Sequence, residues 1–166
     1  YVIVNPLKLK RMKVFIIAIA LLATSMTGWG QTIDDVFNRF QNQENVTFLN
    51  LSKDMIRLGM SSSDDPELVK LSEQIDGMKV LALENSSPSL KKELREAFGK
   101  LNFGEYQEVI KVNSEGEKVK ILTKGTENEV NSLIIFVLDD EDCTLVKIDG
   151  HVNPKEIDKI VESQTK

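Results

Sequence analysis

Beyond residue 30 the chain has no tryptophan and one tyrosine, Tyr106, since Trp29 and Tyr1 both fall earlier. Enzymes that process carbohydrates usually need aromatic platforms, and the phenylalanines here fall mostly in the apolar stripes of helices. There is one cysteine, Cys143, so no internal disulfide can form. It reads as a small residue starting an edge strand, with a mixed disulfide to a partner as the alternative. There is also one histidine, His151, the usual proton carrier near neutral pH. Cys143 and His151 lie eight positions apart on or beside one predicted strand, which separates them by roughly 26 Å and excludes a Cys-His pair within one chain. No Gly-x-Ser-x-Gly elbow, glycine-rich phosphate loop, His-Glu-x-x-His motif or paired cysteines occur. Zinc, haem and dinucleotide chemistry therefore lack their ligands, and no cofactor is expected.

Positive charge is scarce too. Four of the 21 basic residues (Lys8, Lys10, Arg11 and Lys13) and none of the 26 acidic ones fall in the first 30 positions, which leaves residues 31–166 with a net charge of −9. Such a balance repels phosphate backbones and argues against nucleic-acid binding. The first 30 residues themselves read as an export leader. Lys8 to Lys13 form a positive segment, Val14 to Ala23 an apolar one, and Gly28-Trp29-Gly30 a small-x-small cleavage site before Gln31. About ten apolar residues are too few for a bilayer, which needs about 20, so the mature protein is expected without a stable membrane span. Met12 reads as the natural start, and no cysteine near the cleavage site offers a lipid anchor. The 28% charged and 41% hydrophobic composition fits one globular domain over residues 31–166.

What is present is organised around Leu133 to Leu138, six apolar residues that read as a strand buried on both faces. Half-buried strands flank it, so Glu105 to Val152 reads as a four-strand meander with hairpin loops at 113–116 and 125–128. Tyr106, Ile110, Val112, Val119, Ile121, Val146 and Ile148 are expected to face the core. Earlier strands are expected at Val46 to Leu51 and Met78 to Leu83. Helices are signalled by Thr32 with Asp35, by Ser52, by Pro66 with a stop at Gly77, by Ser87-Pro88, and by Asn153-Pro154 before Ile157, Ile160 and Val161. In the Ser87-Pro88 helix, Leu90, Leu94, Ala97, Phe98 and Leu101 form the apolar stripe, and Lys91, Lys92, Glu93, Arg95, Glu96 and Lys100 the solvated face. The fold class expected is α+β, a largely antiparallel sheet ending in the meander, with helices packed on it.

The run Val46 to Met60, the Met78 to Leu83 strand, Tyr106 opening the meander, the Gly116 hairpin, the Leu133 to Leu138 strand and Leu145-Val-Lys-Ile-Asp-Gly150 before a terminal helix together resemble a bacterial family. This is the set of exported Bacteroidota proteins catalogued as domain of unknown function 4252. The resemblance covers essentially the whole mature chain and carries no catalytic signature. It implies an envelope-associated or secreted protein without an assigned activity. Many members look lipid-anchored through a cysteine after the signal. Here Gln31 stands in that place, which points to soluble periplasmic or secreted residence.

The expected function is a non-catalytic binding or regulatory module; the alternative is a small carboxylate-dependent hydrolase. The acidic turn Asp139 to Asp142 lacks the alternating ligands of a calcium loop and reads as solvated, and Ser61 to Asp65 reads as a flexible linker capping the next helix. The candidate surface is the meander face opposite the expected core residues. There Val109, Lys111, Lys118, Lys120, Leu122, Leu145 and Lys147 would form a mixed apolar and basic patch for an envelope protein partner or an anionic ligand.

Overall fold

The computed structural model describes residues 30–114, 116–139 and 142–156. The expected leader up to Trp29, and Ile157, Ile160 and Val161, lie outside the described residues. Helix α1 (Ile33–Phe40) opens on the reciprocal Thr32–Asp35 capping box and buries Ile33, Val36, Phe37 and Phe40, one stripe at helical spacing. Strand β1 (Thr47–Ser52) ends on Ser52, whose side chain caps α2 (Lys53–Met60). Asp65 caps α3 (Pro66–Gln74), which runs directly into β2 (Ile75–Ala82). Ser87 and Pro88 open α4 (Pro88–Gly99), which buries Leu94, Ala97 and Phe98. Strands β3 (Gln107–Ser114), β4 (Glu117–Thr126), β5 (Glu129–Leu138) and β6 (Cys143–Val152) follow, and a helical turn begins at 154–156.

The six strands form one antiparallel sheet in the order β1-β2-β6-β5-β4-β3, so the α+β class and the meander are both present. The crossover falls between β2 and β6. It makes β6 an interior strand, which corrects the reading of Cys143 as the start of an edge strand. Gly77 likewise does not stop a helix. Ile75 already leaves α3 with extended backbone (φ −95, ψ 127), and Gly77 lies inside β2 opposite Ser52 and Asp149. The glycine that this junction does require is Gly150, because a Cβ there would collide with the backbone oxygen of Gln74.

Register assigns each residue to one of two faces. On the first, Phe48, Leu81, Leu145, Phe136, Lys120 and Lys111 lie in one row, with Asn50, Lys79, Lys147, Ile134, Leu122 and Glu108 beside them. Helices α1 and α4 seal this face. Phe98 stacks on Phe136 at 4.1 Å, Phe37 meets Phe48 at 6.2 Å, and Leu81, Ile134 and Leu145 are wholly buried. The second face carries the row Leu49, Val80, Val146, Ile135, Ile121 and Ile110, and none of these is buried.

The meander parity is therefore the reverse of the expected one. Leu122 and Leu145 are core, whereas Ile110, Val112, Val119, Ile121, Val146 and Ile148 belong to the more open side. The Leu133 to Leu138 run is correspondingly buried on one face only, through Ile134, Phe136 and Leu138.

Candidate functional site

The expected patch divides into three parts. Leu122 and Leu145 are sealed under the helices and offer no contact surface. Val109 is the extra residue of a bulge between Glu108 and Ile110, exposed on the edge strand β3. Lys147 is drawn into an ion network at one end of the helix-covered face. Lys111, Lys118 and Lys120 alone come together at a cavity, at the other end.

That cavity, about 260 Å³, lies between α4 and the β3–β4 corner of the sheet. Its apolar lining includes Phe98, Phe136 and Leu138, and its basic lining is Arg95, Lys111, Lys118 and Lys120. Geometry frames the cavity: Phe98 stacks on Phe136, and Lys111 and Val112 of β3 with Lys118, Val119 and Lys120 of β4 border it on the two strands beyond that pair. Lys111 and Lys118 are exposed there, and Lys120 is half-buried. Lys120 pairs with Glu108 at 2.9 Å and lies 5.1 Å from the Phe103 ring centre. The Lys120 hydrogen bond, outweighing desolvation, together with the charge of Lys111 holds the Glu108 carboxyl below its ordinary range. Arg95, Lys111 and Lys118 make no ion pair among the described residues. On an acidic chain, three such cations around one apolar cavity form a local field of the opposite sign.

Arg95 was assigned to the solvated side of its helix, and nothing in the i, i+3, i+4 pattern marks it otherwise. Arg95 is indeed exposed, and it borders the cavity as well.

The network around Lys147 has a different character. Lys147 Nζ contacts Asp149 Oδ2 at 2.9 Å and Asp34 Oδ2 at 3.2 Å, while Lys79 Nζ contacts Asp34 Oδ1 at 2.8 Å. Ser132 donates to Asp149 at 2.7 Å and accepts from the Tyr106 hydroxyl at 2.8 Å. Burial pushes the Lys147 ammonium down, but the hydrogen bonds and charges of Asp149 and Asp34 outweigh it and hold it above its usual value. For Asp34, burial pushes the carboxyl up; its hydrogen bond to Lys79 and the charge of Lys147 prevail and hold it down. The network lines an open cleft of about 490 Å³, in which each of these side chains already has a partner.

Two remaining candidates are settled by position. Cys143 is buried, and desolvation pushes its thiol up to about 11, so it is a packing residue with little thiolate. His151 is exposed on β6 with Glu129 at 3.2 Å on Nδ1 and Asp76 at 3.6 Å on Nε2, opposite sides of the ring, an arrangement that cannot converge on one metal ion. Among the described residues there is no group of three metal-ligating side chains, and no helix is long and apolar enough to cross a membrane.

No curated protein and no solved structure matches the chain. Residues 40–160 match the family model described as "Domain of unknown function (DUF4252)", a span that contains all six strands and the whole basic cavity, and the chain belongs to that family.

Proposed function

We propose that the protein is an exported bacterial envelope protein of the Bacteroidota type that acts as a non-catalytic binding module for a small anion with an apolar body. The observation that carries the ligand class is the cavity bounded by Phe98, Phe136 and Leu138 with Arg95, Lys111 and Lys118, which make no ion pair with a carboxylate among the described residues. An acyl chain or ring would occupy the apolar lining, and a carboxylate, sulfate or phosphate would take charge-assisted hydrogen bonds from the cations. At about 260 Å³ the cavity lies below the ~300–1,000 Å³ of drug-sized sites, which fits a small ligand. Export rests on the basic and apolar segments before Gln31. Mass analysis of periplasmic protein should find an amino terminus at Gln31.

The hydrolase reading draws on Asp34 and Asp149, which touch one ammonium and so stand within the span that carboxylate pairs use. Such a pair needs one carboxylic acid kept protonated. Asp34 is held down instead, and Lys147 is spent between the two, which favours the non-catalytic reading.

The test is displacement of bound 8-anilinonaphthalene-1-sulfonate by octanoate. Wild type should show competition, octanol should compete far less, and Lys118→Glu or Arg95→Glu should each weaken octanoate about tenfold or more, the effect of losing one charged hydrogen bond of ~1.5 kcal/mol. Equal competition by octanol, or unchanged affinity in both variants, would remove the proposal.

A further inference from the structure

The second face of the sheet is a further observation, and it meets the basic cavity only at Val112 and Val119. Three rows of six paired residues cross all six strands there, centred on Leu49, Val80, Val146, Ile135, Ile121 and Ile110, and none of the eighteen side chains is charged. None is buried either, whereas their neighbours one position along, such as Leu81, Leu122 and Leu145, are at most 2% exposed. Fourteen of the eighteen are apolar, the others being Thr47, Thr123, Thr144 and Gln107, and an uncharged surface of this breadth on a chain whose residues 31–166 carry a net charge of −9 is an interaction surface.

We infer that its occupant is a second copy of this chain, sheet against sheet. Breadth decides first. Six strands at ~4.8 Å spacing span roughly 25 Å, and a helix of ~10–12 Å diameter would cover less than half of them. A partner sheet of equal width covers them all, and two antiparallel sheets pack face to face ~10 Å apart.

Charge decides next. A face without ions leaves a charged partner surface unpaired and desolvated, while a two-fold copy brings an identical ion-free face. Three rows at two-residue spacing over that width give an area of the order needed for the ~800 Å² per partner of a standard interface. The two acidic bodies repel each other across this contact. Salt should therefore tighten the dimer, the opposite of its effect on an anion in the basic cavity.

Sedimentation equilibrium of the full chain tests this, with Ile110→Lys and Ile121→Lys as variants. Ile110 is 44% exposed, so lysine there is tolerated in the monomer fold even if Ile121→Lys proves unstable. A wild-type dimer at about 50 μM that dissociates at least tenfold more readily in Ile110→Lys, with native circular dichroism and undiminished octanoate binding, supports the inference. A monomeric wild type, or a dimer indifferent to Ile110→Lys, overturns it. Lys118→Glu should dimerise like wild type, so the cavity and the face fail or stand separately.

Discussion

At the scale of single residues, Leu145 separates the two possible orientations of the meander. It lies between Leu81 and Phe136 and is wholly buried. Leu145→Ala should therefore lower unfolding stability by about 2–5 kcal/mol in urea titrations, and Ile148→Ala, on the open face, by clearly less. Equal small losses would mean that the helices cover the other side. The sequence leaves this choice open for a physical reason. Ile121-Leu122 and Leu145-Val146 put an aliphatic residue on both parities, so alternation does not say which is inside, and the bulge at Val109 shifts β3 by one residue. Cys143 follows the same logic. With its thiol pushed up to about 11 under a buried strand, it should react with a water-soluble disulfide reagent only once the chain is unfolded. Rapid reaction of native protein would contradict that.

At the scale of elements, starts were legible wherever a local rule fixes them. Thr32 with Asp35, Ser52, Asp65-Pro66 and Ser87-Pro88 all cap the helices they precede, because a side-chain oxygen meets an orphan backbone N–H within three residues. The boundary between α3 and β2 was not legible. What ends the helix is the pairing of Ile75 with Gly150 on β6, a contact 75 positions away in the chain.

The network Lys79–Asp34–Lys147–Asp149 likewise ties α1 to β2 and β6, and it sets a pH window. Asp34 has a lowered folded value, so its contribution is present above its unfolded value near 3.8 and is lost as pH falls through the folded one. Lys147 has a raised value, so its contribution holds below 10.5 and is lost only at higher pH. Urea midpoints should fall between pH 5 and pH 3 more steeply in wild type than in Asp34→Asn. Identical slopes would show that the Lys–Asp contacts do not form in solution.

At the scale of the whole molecule, the two faces of the one sheet differ. The helix-covered face supplies the core and, beside α4, the basic cavity. The open face supplies a broad neutral surface. Composition announced an acidic protein poor in reactive side chains, and the expected mixed patch named Lys111, Lys118 and Lys120. The hydrophobic half of that patch was misplaced: Leu122 and Leu145 belong to the core, and Phe98, Phe136 and Leu138 take their role beside Arg95. Distances across a sheet depend on strand order, and β6 inserted beside β2 is a topological fact that no local spacing carries.

The most direct measurement of the central claim is amide chemical-shift mapping during an octanoate titration of the isotopically labelled protein. Saturable shifts concentrated at Arg95, Gly99, Lys111, Asn113, Lys118 and Leu138 are the predicted result. Shifts confined to Tyr106, Ser132 and Asp149 in the polar cleft, or a spectrum that does not respond, would contradict it.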